Sequence, residues 1–198
     1  MPSRRDEAAL IATLNDLLQL EHDALPAYAL ALAGLRDGGL RDTLEAFRQD
    51  HRRHVGELTG LVRERGGLPL ALPHLPTGLL KLAVQASGLP GGDRGVLLAF
   101  RANEWQSREK YARAAAAGGG RDDDPEVADV LRRAAEDEAR HYSWAVEALE
   151  RAGLGDGTAV GGANAAFARL HGTTAGAIEA VGRAGLAALT RARRLRPA

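Results

Sequence analysis

Apolar residues recur along this chain at i, i+3, i+4 and i+7 in four long segments, and each stripe is broken near its middle by carboxylate or imidazole side chains. The first stripe is Leu14, Leu17, Glu21, Ala24, Leu25, Tyr28, and the second is Leu40, Leu44, Phe47, His51, His54, Leu58, Leu61. The third reads Leu97, Phe100, Glu104, Ser107, Tyr111, and the fourth Val127, Leu131, Ala134, Glu138, His141, Ala145, Leu149. Side chains at this spacing share one helix face, so each helix is predicted to carry a polar interruption into an apolar interior.

Local signals place the helix ends. Ser3 is an N-cap candidate with Asp6 three residues on, and the first helix is predicted to run to about Leu35, before Asp37-Gly38-Gly39. Pro26 sits inside it and predicts a kink or bulge. The second helix is predicted from about Leu40 to Arg65, stopping at Gly66-Gly67, and the third from about Asp93 to Ala117, before Gly118-Gly119-Gly120. Asp124 and Pro125 begin the fourth, which continues to Ala152.

Residues 68 to 92, punctuated by Pro69, Pro73, Pro76, Pro90 and Gly91-Gly92, read as a long crossover with a short helix over Thr77 to Ala86. A connection of that length fits second and third helices that run parallel. The expected division is residues 1–152 as an all-α, up-down four-helix bundle and 153–162 as a glycine-rich linker. Residues 163–198 form an amphipathic C-terminal helix ending in Arg191, Arg193, Arg194 and Arg196.

The interruptions form a repeat. Asp50-His51-Arg52-Arg53-His54 reappears as Asp137-Glu138-Ala139-Arg140-His141, and each copy is preceded by a Glu-x6-Tyr pair, Glu21 with Tyr28 and Glu104 with Tyr111. An unpaired buried charge costs several kcal/mol or more, so groups on these stripes must be paired, protonated or bound to a metal. Glu21, His51, His54, Glu104, Glu138 and His141 are therefore the candidate ligands of one buried site. Glutamate oxygens bridge cations and each histidine supplies one neutral nitrogen, a mixture that suits iron, manganese or zinc.

Asp50 and Asp137 lie about 100° round the helix from the next residue and are expected to accept the free ring N–H of a histidine. Arg53 and Arg140 either pair with those aspartates or stand as ordinary surface arginines. Tyr28 and Tyr111 either hydrogen-bond a ligand carboxylate, the preferred reading, or fill the core.

Composition narrows the setting. The 198 residues suffice for one core, and a formal net charge of zero gives no reason to expect a nucleic-acid partner. The absence of cysteine excludes disulfides, thiolate metal sites and cysteine catalysis. The N-terminus lacks the apolar core of a signal peptide and no run of 18 apolar residues occurs, so a cytoplasmic protein is expected.

Other residues lie off the stripes. His22, His74 and His171 are expected at the surface, and Trp105 and Trp144 between helices or at an oligomer contact. The face of the last helix with Phe167, Leu170, Ile178, Val181 and Leu189 is expected to pack on the bundle or on a second subunit of a homo-oligomer. Contact of its basic end with anionic lipid or a protein partner is the lesser alternative.

These motifs resemble a known family. Asp137-Glu138-Ala139-Arg140-His141 matches the Asp-Glu-x-Arg-His signature of diiron-carboxylate bundle proteins. Leu20-Glu21-His22-Asp23-Ala24 and Asp50-His51-Arg52-Arg53-His54-Val55 are similar to stretches of bacterial ferritin-like proteins. Over about residues 5 to 152 the chain thus resembles the ferritin-like superfamily, whose pattern is Glu, Glu-x-x-His, Glu, Glu-x-x-His on four successive helices. The resemblance implies a ferritin-like bundle with its crossover between helices 2 and 3, and Glu21, His54, Glu104, Glu138 and His141 as ligands. It also implies two metal ions, iron foremost, and ferroxidase-like, peroxidase-like or iron-handling chemistry with dioxygen or peroxide.

His51 departs from the pattern, standing where the first motif has a glutamate. Two divalent ions carry +4, so the three glutamates leave +1, which disfavours a diferric state. Either Asp50 swings in to compensate, or the site prefers one metal, zinc or a mixed pair. The alternative reading is a redox-inactive bundle, metal-free or zinc-stabilised, with a structural or partner-binding role.

Overall fold

The computed structural model describes residues 4–118 and 124–194, with side chains over 6–117 and 124–181, so the N-cap expected at Ser3 lies outside the described residues. The described residues are helical, without strands: α1 (Arg4–Gly34), α2 (Gly38–Glu64), α3 (Thr77–Gly88), α4 (Gly92–Gly118), α5 (Pro125–Arg151) and α6 (Ala159–Arg194). A 3-10 turn, Leu89–Gly91, joins α3 to α4.

The Asp37 carboxylate accepts from Leu40 N at 2.9 Å to start α2, and Asp93 accepts from Arg36 N at 2.7 Å, tying the α1–α2 turn to the beginning of α4. Asp124 accepts from Val127 N to cap α5 and also receives Arg65 from the end of α2 at 2.8 Å. Gly153, at φ +73, takes the left-handed turn that ends α5. Helix α1 stays helical through Pro26, which is exposed.

Two apolar layers fix the helix directions. One joins Leu14 of α1, Leu58 and Leu61 of α2, Tyr111 of α4 and Leu131 of α5. The other joins Ala31 of α1, Leu44 and Phe47 of α2, Phe100 of α4 and Ala145 of α5. Reading residue numbers between the layers, α1 and α5 run one way and α2 and α4 the other. The parallel pair, α2 and α4, is thus joined by the crossover, within which α3 packs on α1 and α4. The polar interruptions of all four stripes lie between the two apolar layers.

The C-terminal region departs from expectation. Helix α6 begins at Ala159, inside the stretch read as a 153–162 linker, because the Thr158 hydroxyl accepts from Gly161 N at 3.0 Å and caps it. The connection is therefore short, and α6 packs along α4 rather than standing apart. Fully buried Arg101 of α4 holds Asp156 of that connection at 2.6 Å, and Asn164 donates to Leu98 O at 3.0 Å. Gly119 and Gly120, the side chain of Leu189 and the arginines at 191–196 lie outside the described residues or side chains.

Candidate metal centre

All six candidate ligands are buried to within 2% exposure, and all face one another between the two apolar layers. Glu21 comes from α1, His51 and His54 from α2, Glu104 from α4, and Glu138 and His141 from α5. The i, i+3 spacing on α2 and on α5 puts both side chains of each helix toward the same point. His51 Nδ1 lies 2.5 Å from Glu21 Oε2 and 3.6 Å from Glu138 Oε1. His54 Nδ1 lies 3.4 Å from Glu21 Oε1 and 3.7 Å from Glu138 Oε1, and His141 Nδ1 lies 3.6 Å from Glu104 Oε2.

Two overlapping groups of ligand atoms result, each lying within 4.8 Å of one another. Glu21, His51, His54 and Glu138 form one, and His51, Glu104, Glu138 and His141 form the other. Glu138 and His51 are common to both.

The outer partners are also where the repeat places them. His54 Nε2 is 3.1 Å from Asp137 Oδ2, and His141 Nε2 is 3.0 Å from Asp50 Oδ2. Arg53 and Arg140, each about half exposed, close a ring around these two aspartates. Arg53 donates to Asp50 at 2.7 Å and to Asp137, and Arg140 donates to Asp137 at 2.6 Å and to Asp50 at 2.7 Å. Tyr111 donates to Glu21 Oε1 from across the interior, while the Tyr28 hydroxyl faces His141 Nδ1 at 3.5 Å. Tyr28 also hydrogen-bonds Glu104, so each tyrosine meets a carboxylate of the cluster.

The electrostatics follow from this crowding. Burial alone would lower both histidines, yet Asp137 and Glu21 raise His54 to about 10, and Asp50 and Glu104 raise His141 to about 9. Burial would raise Glu21, but His51 and His54 beside it hold it far below the usual carboxylate range. Glu138 moves the other way: burial, with Glu104 and Glu21 nearby, raises it above the ordinary glutamate value despite His51 and His141. Burial and the neighbouring glutamates raise both tyrosines.

Protons satisfy the cluster only in part. His51 Nε2, His54 Nδ1, Glu104 Oε2 and both Glu138 carboxylate oxygens are buried without a hydrogen-bond partner, the ion-pair approaches above being too long or poorly aimed. Orphaned buried donors and acceptors cost about 1–3 kcal/mol each, more when charged. No single position serves all of them, because His54 belongs to one ligand group and Glu104 to the other, and the oxygen and imidazole donor set of each group fits a divalent transition metal. No family model, no curated protein and no solved structure matches this chain.

A second polar cluster was not legible as such. His74, expected at the surface, is buried between Asp23, 2.8 Å from its Nδ1, and Asp16, 3.1 Å from its Nε2, and these carboxylates raise it although burial opposes. Lys110 Nζ lies 3.0 Å from Asp16 and 2.6 Å from Glu179 of α6, beside a cavity of about 240 Å³. Here the lysine ammonium already occupies the place of a cation, so this cluster reads as an ion-pair network that docks α6. His171 is likewise buried, against Phe167, and burial with nearby Lys81 lowers it to about 4. His22 is half-buried. Trp105 packs against Ala102 and Ala168, and Trp144 against Phe47 and Phe100.

Proposed function

We propose that this chain is a ferritin-like four-helix-bundle protein whose central cluster holds a pair of metal ions, with iron the first candidate and manganese or zinc behind it. The observation that carries the reading is the convergence of five buried atoms without hydrogen-bond partners, two of them on the Glu138 carboxylate common to both ligand groups. Glu21, His54 and Glu138 would hold one ion, and Glu104, His141 and Glu138 the other, with His51 giving its one neutral nitrogen to either of them. When bound, iron or manganese would supply the electron changes needed to reduce dioxygen or peroxide, whereas zinc would not.

The protein's own groups prepare the site. Asp137 and Asp50 accept the Nε2–H of His54 and His141, which leaves each Nδ1 lone pair directed inward as a ligand. The Tyr111 hydroxyl steadies one oxygen of Glu21 and leaves the other for a cation. The layers of leucine, phenylalanine and tyrosine above and below exclude water and strengthen each interaction between charges.

A second reading, a redox-inactive zinc-stabilised bundle, rests on His51, which leaves three carboxylates where four would neutralise a divalent pair. Anaerobic equilibrium dialysis against ferrous iron and against zinc separates the two. Two ferrous ions per chain, falling to one or none in Glu138→Ala, are expected. Zinc uptake without ferrous uptake favours the second reading, and equal ferrous uptake by parent and variant contradicts the first.

A further inference from the structure

Among the described residues, every large apolar side chain that stands exposed lies in one of two segments, 68–80 of the crossover or 160–181 of α6. None lies on α1, α2, α4 or α5. The two segments meet at the point where His74 Nδ1 is 3.8 Å from Glu179 Oε1, which brings the loop with Leu72 and Leu75 beside the turn of α6 with Ile178 and Val181. Helices α3 and α6 also touch, and both pack on α4. The exposed groups of the crossover therefore lie near the end of α6 that carries Ile178 and Val181.

Helix α6 reverses the usual pattern of a surface helix. Its buried apolar positions are small, Ala165, Ala168, Gly172 and Ala175, beside the polar His171 and Glu179. Gly172 sits so close to α4 that a Cβ would fall 2.4 Å from the Trp105 ring. Its large apolar residues point outward, with Phe167 46%, Leu170 67% and Val181 74% exposed. A surface helix turns its apolar stripe to the core and its polar face to water, whereas a helix apolar all round is covered on both sides.

Size and charge indicate what covers it. The ten exposed side chains together amount to on the order of 1,000 Å², comparable with the roughly 800 Å² each partner gives a stable interface. Residues 68–80 contain no Asp, Glu, Lys or Arg, only the buried His74, and 159–181 contain only Arg169 and the buried Glu179, the further arginines of α6 starting at Arg183. An anionic lipid surface selects lysine and arginine around an apolar face, and a charged partner would bring ions with nothing to pair with. An uncharged face is its own complement, as a twofold axis requires.

We propose that a second copy of this chain covers this face, with α6 packed against its counterpart about a twofold axis near Leu170 and Thr174, and the Leu72–Leu80 segment at the margin. The proposal is independent of the metal reading. Light scattering on the full chain is expected to give twice the 20.9 kDa chain mass. Leu170→Glu and Ile178→Glu change side chains exposed in the single chain, so each should return a 20.9 kDa species with unchanged circular dichroism and metal content.

The absence of cysteine allows a geometric check. Leu170→Cys should form a covalent dimer on mild oxidation, while Glu147→Cys, exposed on α5, should not. A 20.9 kDa parent throughout a dilution series, or a dimer that survives both glutamate substitutions and does not cross-link through residue 170, overturns the proposal. A monomer that floats with phosphatidylcholine vesicles overturns it in favour of lipid.

Discussion

Asp50 of α2 lies 3.0 Å from Nε2 of His141 on α5 and so supports the histidine of the opposite helix rather than one of its own. The relation is reciprocal, since His54 of α2 is met by Asp137 of α5 at 3.1 Å. The two copies of the motif are thus interlocked across the α2–α5 contact, and Arg53 and Arg140 fasten the exchange from outside. Each arginine reaches both aspartates, so neither helix orients its histidine alone.

Removing one of these aspartates should cost affinity without abolishing binding. Asp50→Ala or Asp137→Ala is expected to weaken metal binding about 10- to 100-fold, the usual effect of losing a carboxylate behind a ligating histidine. Because the exchange is crosswise, Asp50→Ala should weaken the ion held by His141, and Asp137→Ala the ion held by His54. Competition with a chromophoric chelator measures both. Loss of one whole equivalent of metal would instead make that aspartate a ligand.

Proton release should accompany binding. His54 and His141 are raised to about 10 and about 9 in the metal-free fold, so near neutral pH both carry a proton that a cation must displace. About two protons per chain are expected in weakly buffered solution at pH 7, read with an indicator dye. Histidines raised above 6.5 contribute stability that is fully present below that value and lost as pH rises through about 9 and 10. Melting temperatures of the metal-free protein should therefore fall from pH 6.5 toward 10, while the loaded protein, whose histidines are already neutral, shows a smaller fall. Parallel curves would contradict this.

Helix α6 should matter for stability more than for metal. Glu179→Ala removes one partner of buried Lys110, a loss worth about 3 kcal/mol for a buried pair, or roughly 6–12 °C in melting temperature. Metal content should be unchanged, because every central ligand lies on α1, α2, α4 or α5. Loss of metal in this variant would mean that α6 shapes the site.

Much of this was legible in the sequence because each of the four stripes is a one-dimensional record of a buried face. Their spacing gave the helices within a few residues, the six side chains that meet at the centre and the two aspartates behind them, and the length of residues 68–92 gave the parallel α2 and α4. What was not legible lies on the back of α4. Asp16 and Asp23 face His74 across a loop, and nothing local distinguishes such a histidine from an exposed one. The small residues of α6 at 161, 165, 168, 172 and 175 were the available signal that it packs closely, but the eye follows the larger Phe167 and Leu170, which face out. Tyr28 meets the carboxylate of Glu104, as its place on the stripe predicts, and also reaches His141 Nδ1, a contact that spacing alone does not show.

His51 offers a test of the charge balance. His51→Glu supplies a fourth carboxylate at a position already facing Glu21 and Glu138, so the three glutamates against +4 become four. Such a variant is expected to bind two ferrous ions more tightly and to oxidise them with dioxygen faster than the parent in stopped-flow absorbance. A slower variant would show that the imidazole is a productive ligand in a site suited to other chemistry.

Metal content with thermal stability, measured on one preparation before and after chelation, addresses the central claim most directly. Protein purified from cells supplied with iron, manganese and zinc should carry metal in stoichiometric amount by elemental analysis. Removing it should lower the melting temperature by roughly 5–10 °C, as expected when a ligand present at about a hundred times its dissociation constant is withdrawn. A chain that purifies without metal, and whose melting temperature does not move with chelator or with added iron, manganese or zinc, would show that the cluster is an internal ion-pair network and not a metal centre.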